Sequence, residues 1–371
     1  MFRVSYDHQI FASQQYGGIS RYFVELGKRV ASTSGYSAEV VAPLHFNDLL
    51  RASGLSVLGF YVPPTPRTTG RYMRAANRLL TLPYLGARPP QVLHQTYYPN
   101  EPYRLRRTTV VTTVYDMIHE RCADMFNAKD ETTRRKRTTV AHSDVVICIS
   151  EHTRRDLMEL FGVPESRTRM VHFGFSLPIA SGAQAPTPPL TLTRPFLLFV
   201  GDRGGYKNFP CLLKAYAASD RLRNELVVVA CGRHPFNPGE IALARRLGLD
   251  EERVRYIGGG DDVLTTLYRH AVALVYPSLY EGFGLPPLEA MSYDCPVVCS
   301  DASCIPEVVG DAAVLFDPKD PEALRDALER VVFSGAARAA LTARGRERVK
   351  HFSWDRCAAE TMAIYRETAG R

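Results

Sequence analysis

The 371-residue chain contains no apolar run approaching the roughly 18 residues of a membrane-spanning helix. Its first residues, M-F-R-V-S-Y-D-H, lack the apolar core of a secretory leader. Both absences make the expected location cytoplasmic. The eight cysteines are scattered singly, with no C-x-x-C pair, so neither a disulfide framework nor a zinc site is supported. Cys148, Cys231 and Cys299 fall inside apolar runs and read as small core side chains. A G-x-G-x-x-G fingerprint is missing, which argues against a nicotinamide dinucleotide site, and the sequence shows no internal repeat. No nucleic-acid recognition motif accompanies the basic segments, and nucleic acid is not an expected partner.

What is present is a soluble composition, 45% hydrophobic and 23% charged, in a chain long enough for two ordinary domains. The net charge of +7 is unevenly placed: residues 1–180 carry 23 Lys/Arg against 15 Asp/Glu, and the remainder 23 against 24. Arg67 to Arg78 and Arg134 to Arg137 are the basic pieces of that half. Such a face suits an anionic lipid surface or a pyrophosphate-linked molecule, with a merely solvated helix as the competing reading. Residues 176–194 are rich in Pro, Ala and Thr without periodicity and read as a linker. On either side, short apolar runs alternate with helical patterns, the arrangement of parallel α/β sheets. The runs are 4–6, 39–42, 91–94, 109–114 and 145–149 before the linker, and 196–200, 226–231, 254–257, 271–276, 297–299 and 314–316 after it. Residues 47–57 and 70–82 read as surface helix or loop, and 167–172 as the way out of the first domain. Ser150 begins a helix with a capping pattern, S-E-H-T.

The most informative stretch is Y-P-S-L-Y-E-G-F-G-L-P-P-L-E-A-M, Tyr276 to Met291. A buried strand ends at Tyr276, a glycine turn follows, and Pro286 and Pro287 suit the first positions of a helix. The carboxyl end of such a strand is where open α/β sheets bind ligands. Backbone N–H groups near Gly284 and Leu285 at the helix N-terminus suit a phosphate. Glu281 and Glu289 flank that turn, and ionised carboxylates accept hydrogen bonds from vicinal hydroxyls of a sugar or ribose. The bland alternative makes Glu289 a partner of the helix dipole and Glu281 a solvated loop residue.

Two further glycine loops follow strands. Gly17-Gly18 opens a helix after the first strand, a weak signal alone. Gly201 to Asn208, G-D-R-G-G-Y-K-N, fails the P-loop pattern at Asn208 but offers Arg203 and Lys207, one fork-shaped and one point-like cation suited to a diphosphate.

E-G-F-G-L-P-P-L-E and its continuation from Pro296 to Pro318 resemble the E-x7-E region of retaining, nucleotide-sugar-dependent transferases of glycosyltransferase family 4, and matching elements run along nearly the whole chain. The resemblance implies an α/β GT-B fold: two doubly wound, Rossmann-like parallel-sheet domains facing across a cleft. The implied boundaries are an acceptor domain over 1–175, the linker over 176–194, a nucleotide-sugar domain over 195–354, and a final helix over 355–371 returning to the first domain.

By the same resemblance, Glu281 contacts the donor sugar and Glu289 the ribose. Arg203 and Lys207 neutralise the leaving diphosphate, and Gly17, Gly18, Gly284 and Leu285 line the donor. One departure is visible. Where many members carry a histidine after the strand at 109–114, this chain has Tyr115 followed by Asp116. Asp116 is the candidate to position the acceptor hydroxyl, with Tyr115, His119 and His94 as further acceptor-side candidates. No metal is expected, since Asp-x-Asp is absent, and no cofactor beyond the donor substrate.

Y-G-G-I-S-R-Y together with the 276–291 stretch is most similar to bacterial mannosyltransferases of surface-polysaccharide assembly. GDP-mannose is therefore the first expected donor and a UDP-hexose the second. A saccharide or polyprenyl-pyrophosphate-linked acceptor fits the basic first domain, as does peripheral contact with the inner face of an anionic membrane. The rival classes are a glycoside hydrolase, which has no use for a diphosphate clamp, and a non-catalytic nucleotide-sugar-binding protein; within the fold, an epimerase is the alternative.

Overall fold

The computed structural model describes residues 1–63, 69–103, 105–175, 192 and 194–369. Of the expected linker, only Leu192 and Arg194 lie within the described residues. The chain forms two compact units: Met1–Glu120, Phe126–Gly174 and Ser353–Arg371 make the first, and Arg121–Met125 with Phe175–Phe352 the second.

The first unit holds seven parallel strands: β1 (Phe2–Asp7), β2 (Tyr36–His45), β3 (Ser56–Tyr61), β4 (Val92–Gln95), β5 (Thr109–Val114), β6 (Val145–Cys148) and β7 (Thr168–Met170). Their order is β3-β2-β1-β4-β5-β6-β7. The second unit holds β8 (Phe196–Val200), β9 (Val227–Cys231), β10 (Val254–Ile257), β11 (Ala273–Tyr276), β12 (Val297–Ser300) and β13 (Val314–Phe316), ordered β10-β9-β8-β11-β12-β13. The apolar runs become strands because both faces are covered: β4, β6, β8, β9, β11 and β12 are buried at every residue.

In each sheet the strand order reverses once, between β1 and β4 and between β8 and β11. At such a point the loops leaving the carboxyl ends of neighbouring strands diverge and open a crevice for a ligand. The loops so placed start at His8 and Thr96 in the first unit, and at Gly201 and Pro277 in the second.

Two edge strands depart from the expectation. Residues 47–57 contain only a short helix, Asp48–Arg51, before β3 begins, and 168–170 add β7 at the far edge. At Gly59 (φ 151°), a Cβ would stand 1.8 Å from the Ala42 carbonyl oxygen, so β3 can approach β2 there only as glycine.

The core of the second unit packs Phe199, Val228 and Val275 against Phe209, Leu212 and Leu328. In the first unit, Tyr6 packs on Phe23, Phe23 on His94, and His94 on Tyr365 of the last helix, Trp354–Thr368, while Trp354 packs on Phe173 and Tyr22. Among the described residues no helix is long and apolar enough to cross a membrane.

Candidate active site

In the second unit, the residues expected around the donor come from loops that fasten one another. After β8, Gly205–Lys207 form a single 3-10 turn, and Asn208 takes a left-handed conformation (φ 55°). The Asn208 amide then donates to the carbonyls of Pro277 (3.1 Å) and Pro318 (2.8 Å), tying the loops after β11 and β13 to its own. Leu279 N–H donates to the Tyr206 carbonyl at 2.7 Å. Glu281 is fixed from the loop after β12: its N–H donates to Ser303 Oγ (2.9 Å), and Cys304 Sγ–H donates to its carbonyl (3.1 Å).

So held, the Glu281 carboxylate meets the Lys207 ammonium at 2.6 Å, and Lys207 also lies 3.2 Å from Tyr276 Oη. Sequence reasoning named Lys207 and Glu281 separately, and the structure brings them together. Burial, and next the Glu281 charge, push the Tyr276 phenol well above its usual range, so it stays protonated and donates.

Arg203 is placed differently. Its guanidinium pairs with Glu240 at 3.0 Å, donates to the carbonyls of His234 and Pro235 (both 2.7 Å), and packs between Phe236 and Tyr256. Glu240 also closes the capping box of helix Pro238–Arg246 with Asn237. Both cations therefore carry a protein carboxylate, and only Lys207 is joined to another predicted site residue.

Gly284 (φ 95°) is the N-cap of helix Leu285–Ser292. Of the first three helical residues, two are prolines without an N–H, so an anion there depends on the N–H groups of Leu285 and the preceding turn. Further along the helix, Glu289 accepts a hydrogen bond from Tyr268 Oη at 2.9 Å.

In the first unit, Gly17 caps helix Gly18–Ser32 without a side-chain bond, while Ser20 Oγ donates to its carbonyl (3.0 Å). Asp116, just past β5, accepts from Ile118 N–H at 3.1 Å, the turn-capping geometry, and remains partly exposed. Beneath it lies Lys136, whose ammonium donates to the Asp116 carbonyl (2.9 Å) and to Glu120 (2.8 Å) and stands 3.7 Å from the Asp116 carboxylate. His119 stacks on Phe126 and faces Asp130 at 3.5 Å.

Two acceptor-side expectations need correction. His94 is fully buried, with Nδ1 2.6 Å from Tyr365 Oη and Nε2 2.8 Å from Thr113 Oγ1, so neither ring nitrogen faces a ligand. Burial lowers its pKa to about 3, so it packs as a neutral ring. Tyr115 is likewise buried, and its hydroxyl donates to the Thr96 carbonyl at 3.2 Å.

Sequence reasoning passed over Asp7 and Lys136. Asp7 ends β1 at the reversal of strand order; its Oδ1 accepts from Thr96 N–H (2.9 Å) and Thr96 Oγ1 (2.5 Å), while its buried Oδ2 has no hydrogen-bond partner. Burial raises its pKa to about 6. The available signal was a carboxylate directly after the apolar V-S-Y. Lys136 was hidden inside the R-R-K-R run. Among the described residues no group of three or more His, Cys, Asp or Glu could hold a metal ion.

Comparison with known proteins fits this geometry. Residues 16–177 match the Glycosyltransferase Family 4 model, and residues 184–348 that of Glycosyl transferases group 1. O-antigen chain mannosyltransferase B of Escherichia coli is 31% identical over 277 residues, 71% of either chain. The chain is a family 4 glycosyltransferase. A D-inositol 3-phosphate glycosyltransferase of Salinispora tropica is 32% identical over 252 residues, covering 62% of this chain and 52% of that one.

Among solved structures, Anabaena HepE in complex with UDP-glucose superposes with a TM-score of 0.73 at 16% identity, covering 98% of this glycosyltransferase and all of that chain. WaaG, a glycosyltransferase involved in lipopolysaccharide biosynthesis, gives 0.70 at 18% identity, covering 98% and 99%. The fold is GT-B.

Proposed function

We propose that this glycosyltransferase transfers a hexose with retention of anomeric configuration, with mannose from GDP-mannose as the first choice and a UDP-hexose as the second. The acceptor is a saccharide or a polyprenyl-pyrophosphate-linked sugar of cell-surface polysaccharide, met at the inner face of the membrane. The observation that carries the reading is the Lys207–Glu281 pair at the carboxyl ends of β8 and β11. A bound nucleoside diphosphate sugar satisfies both partners: its diphosphate takes the ammonium, and its sugar hydroxyls donate to the carboxylate. As the glycosidic bond breaks, negative charge grows on the leaving diphosphate, where Lys207 and the Leu285 N–H stabilise it. A leaving phosphate oxygen accepts the acceptor's proton on the same face, so Asp116 orients the acceptor hydroxyl without acting as a base. The mannose choice draws on the similarity to the mannosyltransferase of Escherichia coli.

Thermal shift against GDP, UDP, ADP and CDP, with wild type and Lys207→Ala, tests the reading. A selective upshift with GDP, reduced in the variant, supports it. Selectivity for UDP replaces the donor, and no upshift with any nucleotide removes the donor site. Turnover of the selected nucleotide sugar undiminished by EDTA is expected, and its loss would require a metal-dependent step.

A further inference from the structure

A lysine ammonium is a donor of three hydrogens and accepts none. At Lys207 one goes to the Glu281 carboxylate at 2.6 Å and another to the Tyr276 phenol oxygen at 3.2 Å. The third is left for the open side of the group, where the Lys207 side chain is 17% exposed. That open side is where a diphosphate would reach it.

Glu281 alone does not fix that direction. Lysine ends a flexible stem, and a single contact leaves the ammonium free to turn about the line joining it to the carboxylate. A second contact stops the turn if its own atom is held, and Tyr276 is held. It is the last residue of β11, 1% exposed, in a strand paired with β8 on one side and β12 on the other. The Lys207 ammonium lies 5.2 Å from the centre of its ring, and a Cβ built on Gly284 would stand 3.7 Å from its Cε1. One side chain fixed on a strand therefore borders both the cation and the turn that presents the Leu285 N–H.

The chemistry of the second anchor matters as well. A second carboxylate would hold Lys207 more tightly and repel the diphosphate, whereas a neutral phenol oxygen orients the ammonium without cancelling its charge. Burial, and next the Glu281 charge, keep this phenol neutral. When sugar hydroxyls draw on Glu281, the carboxylate holds Lys207 less strongly, and the Tyr276 contact keeps the ammonium in place.

We propose that Tyr276 is a positioning residue of the donor site: with Glu281 as the other anchor, its phenol oxygen aims the third Lys207 N–H at the diphosphate of the nucleotide sugar. This role rests on the donor site proposed above and adds to it a residue that touches no substrate itself.

GDP and UDP carry the charge that the leaving group acquires and have no transferred sugar, so their binding reports on the cation and not on the carboxylate's sugar contact. Each is titrated calorimetrically into wild type, Tyr276→Phe, Lys207→Met/Glu281→Gln, and the last with Tyr276→Phe added. Tyr276→Phe keeps the ring. It is expected to raise the Kd of the nucleotide that wild type prefers roughly fivefold or more, but by less than about twofold once Lys207 and Glu281 have been replaced. A merely structural phenol would cost the same in both backgrounds. Tyr216→Phe removes another buried hydroxyl of the same unit, one that donates to the Leu226 carbonyl at 2.8 Å, and leaves the Kd unchanged. Melting curves showing every variant folded at the titration temperature keep unfolding out of the comparison. An unchanged Kd in Tyr276→Phe, or an equal rise in both backgrounds, overturns the role of Tyr276 while the donor site stands. Failure of both nucleotides to bind wild type overturns the donor site and this role with it.

Discussion

Lys207 and Glu281 stand 2.6 Å apart with side chains 17% and 8% exposed, a pair largely withdrawn from water. Removing one partner leaves the other desolvated and uncompensated, whereas replacing both removes the burden as well as the attraction. Lys207→Met and Glu281→Gln are each expected to lower the melting temperature, and the double variant to melt above either single one. Transfer activity is expected to fall by about 10²–10³ in both single variants and not to recover in the double, because the charge that meets the leaving group is gone. Recovery of turnover along with stability would show the pair to be structural only.

His94 supports a prediction of a different kind. Its folded pKa is about 3 against an ordinary value of 6.5, through burial. Below pH 6.5 the unfolded chain takes up a proton that the folded protein refuses, so this contribution is complete above 6.5 and is lost as pH falls toward 3. His8, lowered by burial to about 4, acts in the same sense; Asp7, raised to about 6, opposes both between its ordinary 3.8 and 6. Melting curves of wild type and His94→Gln should therefore lie furthest apart above pH 6.5 and converge on acidification. A gap independent of pH would mean that packing alone separates them.

At the scale of elements, the loop from Tyr276 to helix Leu285–Ser292 depends on Gly284 at φ 95°, where an added Cβ would meet Tyr276 no closer than 3.7 Å. Space is available but the backbone conformation is not, so Gly284→Ala is expected to destabilise by about 1 kcal/mol through conformation alone. It should also weaken nucleotide binding by moving the Leu285 N–H; calorimetric titration with the selected nucleotide checks this.

That turn was legible because its glycines and prolines fix backbone geometry locally. The strands buried on both faces were legible for a similar reason, since composition alone marks them. β3 was not: its residues alternate between exposed and half-buried, and of the exposed ones, Ser56, Leu58 and Phe60, two are apolar, so neither burial pattern nor polarity announced a strand. Charge partners were equally hidden. Arg203 and Lys207 look alike in a glycine loop, and nothing local says that Glu240 takes the first and Glu281 the second. In R-R-K-R the middle lysine is 1% exposed and bound to Glu120, while Arg134 stays at the surface. Lys136→Ala is thus expected to cost about 3–5 kcal/mol in denaturant unfolding. Arg134→Ala should stay within about 0.5 kcal/mol.

For the molecule as a whole, the chain leaves its first unit after Gly174 and re-enters it at Ser353. The returning helix completes a core that residues 1–174 cannot close. Tyr365 is fully buried against His94, Trp354 covers Phe173 and Tyr22, and Asp355 pairs with Arg29 at 2.6 Å. A chain ending at Phe352 would expose those aromatic faces and leave His94 Nδ1 without its partner, a loss of several kcal/mol against a typical domain stability of about 5–15 kcal/mol. The second unit keeps its own core, drawn from residues 197–341. The truncated chain is therefore expected to lose the first unit selectively. Hydrogen exchange should show β1, β4 and β5 unprotected while β8, β9 and β11 remain slow. Tyr365→Phe, which removes the hydroxyl and keeps the ring, should lower stability by only about 1 kcal/mol. Uniform loss of protection in both sheets after truncation would mean instead that the two units unfold as one.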